Sequence, residues 1–82
     1  MIDDHPREPH FAKFRFYEEL NDFLSVEQRK ISFRWPFYGN PSVKDTIQAI
    51  GVPHSAIDLI LVEGQSVDFS HRLRGGERVA VY

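Results

Sequence analysis

The sequence predicts an α+β domain in which a mixed sheet of four to five strands packs on one helix. Three segments, FAKFRFY (11–17), RKISFRWPF (29–37) and RVAVY (78–82), alternate apolar and polar residues. That period of two belongs to half-buried strands. One stretch, SVKDTIQAIG (42–51), repeats apolar residues every three to four positions and carries helix start and stop signals. The 82 residues suffice for one modest core, and an apolar content of 41% with eleven aromatic residues is a globular composition.

The opening ten residues, MIDDHPREPH, hold two prolines and little to bury. They read as a flexible lead-in over 1–10, with the domain proper over 11–82. In the first strand Ala12, Phe14 and Phe16 point one way, and Phe11, Lys13, Arg15 and Tyr17 the other. EELNDFL (18–24) spaces Leu20, Phe23 and Leu24 as a turn or short helix. In the second strand Ile31, Phe33, Trp35 and Phe37 share a face, and Pro36, which cannot donate to a ladder, puts that strand at a sheet edge. YGNP (38–41) breaks it.

Ser42 followed by Asp45 forms a capping-box-like start to the helix, Val43, Ile47 and Ile50 form its stripe, and Gly51 suits its left-handed end. LILV (59–62) is a compact strand, EGQS a turn, VDF (67–69) a very short strand and RGGE (74–77) a second turn. In the last strand Val79 and Val81 point inward. The order is β-β-α-β-(β)-β. A helix with one apolar stripe and a sheet with one apolar face each need the other. With the first and last strands central, adjacent and parallel, this is a β-grasp. Its expected core is Phe14, Phe16, Ile31, Phe33, Trp35, Val43, Ile47, Ile50, Ile60, Val62, Val79 and Val81.

Several chemistries are excluded or unsupported. Without cysteine there is no disulfide, thiol nucleophile or cysteine zinc site, and the default address is cytoplasmic. No apolar run reaches membrane-spanning length, so no membrane partner is expected. The four histidines, at 5, 10, 54 and 71, lack metal-ligand spacing. Ser42 and Ser55 read as caps, and Asp22, Asp45, Asp58 and Asp68 are scattered over different elements. No phosphate loop, nucleophile elbow or nucleotide fingerprint is present. The expectation is a domain without enzyme activity, cofactor, metal or small-molecule substrate.

Net charge is −2, and the first ten residues account for it. The balanced remainder still segregates. Lys13 and Arg15 on the first strand, Lys30 and Arg34 on the second and Arg78 on the last all point outward, with Tyr17, Tyr82 and Phe11 among or beside them. Cations and aromatics on one sheet suit phosphate contact and base stacking; cations on strands also serve solubility and blunt edges. Leu59 and Leu61, outward when Ile60 and Val62 face the helix, are candidates for protein docking.

FRFYEELNDFL, PSVKDTIQAIGVPHSAIDLILVEGQSVDFSHRL and GGERVAVY together resemble the ubiquitin-like domain that precedes a mut-seven C-terminal RNase domain in many bacterial proteins. The resemblance covers about 11–82, and GVPHSAIDLILVEGQSVDFSHRL is its specific part. The wider pattern of helix, LVEGQ and GERVAV is similar to sulfur carriers of thiamin and molybdopterin synthesis. The first resemblance implies a ubiquitin-like accessory module to a PIN-like ribonuclease domain, in the same or a partner chain, assisting RNA or protein docking. The nuclease carboxylates and zinc cysteines of that larger family have no counterparts here. The second implies an alternative, a sulfur carrier or modifier with a reactive diglycine tail. In those carriers the pair follows the last strand; Gly75-Gly76 precedes it and reads as a turn.

Overall fold

Ala12, Phe14 and Phe16 are buried together on one face of β1 (His10–Phe16), as their alternation requires. The computed structural model describes residues 8–82. β2 (Phe33–Phe37), β3 (Ile60–Val62), β4 (Gln65–Val67) and β5 (Arg78–Val81) complete a five-stranded sheet of order β2-β1-β5-β3-β4. β1 runs parallel to β5, and the other neighbours are antiparallel. One helix, α1 (Val43–Ile50), packs across the apolar face. This is the predicted β-grasp, with β2 and its Pro36 at the edge. Residues 1–7 of the predicted lead-in lie outside the described residues, and its last residue, His10, already opens β1.

The helix forms where its signals stand. The Ser42 hydroxyl accepts from the Asp45 N–H at 3.1 Å. At the other end Gly51 adopts φ 119°. Its N–H donates to the Gln48 carbonyl and the Val52 N–H to the Ile47 carbonyl, a Schellman closure that buries Val52 completely.

The core differs from expectation at particular residues. Ile31 is 48% exposed and lies before β2, not in it. The cause is Asn21, a buried polar residue in the 3₁₀ segment Glu18–Phe23. Its side-chain amide donates to the carbonyls of Phe16 (3.1 Å) and Glu18 (3.0 Å), and its Oδ1 accepts from the Lys30 N–H (2.7 Å). Lys30 is held at φ 61°, so the chain joins the sheet only at Phe33. Phe33, Trp35 and Ile50 pack against the core while half-buried. Leu20 and Leu24 are buried, whereas Phe23, grouped with them by spacing, is 46% exposed.

The fourth strand is Gln65–Val67, not residues 67–69. Glu63 and Gly64, at φ 50° and 79°, make a two-residue turn that pairs Val62 with Gln65. Residues 69–73 then run along the start of α1. The N–H groups of Val43 and Lys44 donate to the carbonyls of His71 and Phe69, and Leu73 is wholly buried.

Gly75-Gly76 forms the turn into β5, at φ 119° and 88°. The Glu77 carboxylate accepts from the Arg74 and Gly75 N–H groups, each at 2.7 Å, and the Gly76 N–H donates to the Phe11 carbonyl. A Cβ on Gly75 would stand 3.0 Å from the Cβ of His10. The pair is a built-in turn, not a free tail.

Replacing Asn21 by Ala leaves the Lys30 N–H and the Phe16 carbonyl without their partner. We expect a loss of about 1–3 kcal/mol in a denaturant titration, with Phe23→Ala, a half-exposed control, losing about 1 kcal/mol or less.

A candidate nucleic-acid interface on the open face of the sheet

The face of the sheet turned away from α1 is organised in rows set by strand register. In one row Arg34 stands opposite Lys13, and Lys13 beside Arg78. Strands lie about 4.8 Å apart, so three cations fall within about 10 Å. Glu63 faces Arg78 from the end of β3, but its carboxylate accepts the backbone N–H of Arg78 at 2.9 Å. In the next row Ala80 sits between Arg15 on β1 and Leu61 on β3. In the last, Tyr17 and Tyr82 stack with centroids 4.4 Å apart and planes 11° from parallel. Leu59 pairs with Tyr82 through two backbone hydrogen bonds and is 39% exposed.

Cations and rings are interleaved along this face. The Arg34 guanidinium carbon lies 4.0 Å from the Phe11 ring centroid, and that of Arg15 lies 5.2 Å from the Tyr17 centroid. Arg15 Nε is buried and has no hydrogen-bond partner among the described residues. Because Ala80 is small, the middle of the face is a depression of about 380 Å³, bordered by Lys13, Arg15, Tyr17, Leu61 and Arg78.

Four of the five predicted cations, Lys13, Arg15, Arg34 and Arg78, thus share the face. Lys30 does not join them as a strand residue, because it lies in the connection held by Asn21. Of Leu59 and Leu61, expected to form a separate surface, Leu61 borders the depression on this face and Leu59 pairs with Tyr82 at its end. The alternation in RVAVY pointed Ala80 outward, but nothing local marked it as the floor of a depression.

Away from this face, Asp68 and His54 are engaged in local structure. Asp68 is held below the usual carboxylate range, first by the Ser70 hydroxyl and then by the Ser70 N–H, in a surface turn. The imidazole of His54 bonds the Gln48 amide and meets the Phe69 ring edge-on. Among the described residues no three His, Cys, Asp or Glu side chains converge to hold a metal, and no helix is long and apolar enough to cross a membrane.

The Tyr82 phenol is pushed above its ordinary value near 10 by partial desolvation, then by the charge and hydrogen bond of Tyr17, with Arg15 opposing. An acid whose pKa rises on folding contributes stability below its unfolded value. That stability is lost as pH climbs from about 10 through the higher folded value. In a spectrophotometric titration Tyr17→Phe should bring the Tyr82 midpoint down towards ordinary, but not all the way, because desolvation remains.

Three comparisons bear on this architecture. The Haloferax volcanii HVO 2177 protein, known from a solution structure, superposes with a TM-score of 0.67 at 19% identity, over 98% of this chain and 88% of its own. The small archaeal modifier protein 1 of Haloferax volcanii superposes with a TM-score of 0.62 at 15% identity, over 88% of this chain and 94% of its own. At such identities the likeness is one of fold. No curated protein matches the sequence significantly. Residues 10–82 match the family described as Mut7-C ubiquitin, nearly the full length. The chain belongs to the Mut7-C ubiquitin family, and its fold is the ubiquitin-like β-grasp.

Proposed function

We propose that this domain is a non-enzymatic docking module that holds RNA for a PIN-like ribonuclease domain, placed C-terminally in the same chain or in a partner chain. The observation that carries this reading is the row Arg34–Lys13–Arg78. Blunting of a sheet edge accounts for a cation on β2, but not for cations on β1 and β5, which are internal strands. Like charges placed directly opposite destabilise a sheet. A polyphosphate ligand gives that arrangement a purpose. Membership of the Mut7-C ubiquitin family supports the ribonuclease setting. A net charge of −2 suits a tethered assistant better than an autonomous binder, since tethering supplies effective concentration. Leu59, exposed beside Tyr82 at the end of the face, is the protein-docking element of this reading.

Titration with a short single-stranded oligoribonucleotide, followed by amide chemical shifts, tests it. At low salt the amides of Lys13, Arg34 and Arg78 should move together. The plot of log affinity against log salt should slope near −2, at about −0.7 per phosphate contact. Lys13→Ser should weaken all RNA sequences alike and reduce that slope by about 0.7. Unmoved amides at these three positions would exclude the RNA role.

A further inference from the structure

We infer that this face selects single-stranded RNA by seating one unstacked nucleobase in the depression floored by Ala80, walled by Arg15, Tyr17 and Leu61, with the flanking phosphates on Lys13 and Arg78. This proposal rests on the RNA-docking reading above and adds the ligand class that a row of cations cannot supply. Cations alone attract duplex and single strand together. A depression that must be filled by a base discriminates, because duplex bases are stacked and paired while single-stranded bases can splay out onto a protein surface.

Shape and chemistry both suit a base. The volume, about 380 Å³, lies at the small end of ligand-sized sites. Leu61 and Ala80 offer apolar surface to a flat ring, and Tyr17, stacked on Tyr82 and under the Arg15 guanidinium, closes one side. Lys13 and Arg78 adjoin each other across β1 and β5 at the same depression, where the sugar-phosphate chain would leave the base on either side. Arg15 adds an argument for the occupant. Its Nε–H is buried with no partner among the described residues, a costly state for a donor. An oxygen acceptor on a base or phosphate that draws the guanidinium across removes that cost, whereas an apolar side chain from a protein partner would not.

Three probes test the proposal on the whole chain: a single-stranded oligouridylate, the same oligomer with abasic sites, and an RNA duplex of equal length. The wild-type protein should bind the uridylate at least fivefold tighter than either of the others, the lower end of what one stacked base contributes. Ala80→Leu fills the floor without changing charge. It should bring the uridylate affinity down to the abasic level while leaving the abasic affinity unchanged. Tyr17→Ala, which removes one wall, should show the same selective loss if Ala80→Leu does not fold.

Equal binding of all three probes by the wild type would overturn the base seat and leave cationic docking standing. Full uridylate preference retained by both variants would also overturn it. If no RNA bound, or if an acidic peptide instead of RNA moved the Ala80 and Leu61 amides, the docking reading would fall as well.

Discussion

Insertion of β5 between β1 and β3 is the constraint on which the molecule depends. The Lys13 N–H donates to the Glu77 carbonyl, the Tyr17 N–H to the Val81 carbonyl and the Glu63 N–H to the Arg78 carbonyl, so the strand is held from both sides. A slip of one residue would turn Val79 and Val81 out of the core and Arg78 and Ala80 into it. The same register brings Lys13 beside Arg78, Arg15 beside Ala80 and Tyr17 against Tyr82. Core and open face are therefore consequences of one pairing, and neither can be altered in register without the other.

The two faces of the sheet answer to different physics. The inner face is closed by burial: Phe14, Phe16, Val43, Ile47, Leu73 and Val81 are all fully enclosed. Hydrophobic burial is proportional to area and indifferent to direction, so half-buried Phe33, Trp35 and Ile50 extend the same core without being sealed in it. The open face lacks that drive. Cation–π contacts at Phe11 and Tyr17 and the Tyr17–Tyr82 stack offset part of the repulsion among its cations. What remains is a surface whose charges are arranged by the backbone, with the Glu63 carboxylate at the Arg78 N–H at one end of the row.

Fold similarity by itself says little about use. The small archaeal modifier protein 1 has a similar β-grasp, yet a β-grasp hosts many functions, and function resides in sites built on it. In this chain the glycine pair is a turn fixed by Glu77, Phe11 and His10, and a strand essential to the sheet follows it. The candidate site of this domain is the cationic, aromatic-edged sheet face, and the glycines contribute to it only by aiming β5.

By itself the sequence determined those elements whose signals are local. Alternation in FAKFRFY and RVAVY specifies which side of each strand is buried and therefore that Lys13, Arg15 and Arg78 face out. Ser42, Asp45 and Gly51 bound the helix, and Pro36 assigns its strand to an edge. What only the tertiary structure decided depends on partners distant in the chain. Asn21 reaches nine residues ahead to Lys30, removing Lys30 and Ile31 from a strand whose own pattern would have kept them. Leu73 is buried because residues 69–73 bond to the start of α1, thirty residues earlier, and no periodicity announces that. Which outward residues meet across strands follows from register, and register is a property of pairs of segments. A period of two tells a side chain which face it joins, but only long-range hydrogen bonding tells it which neighbours it has there.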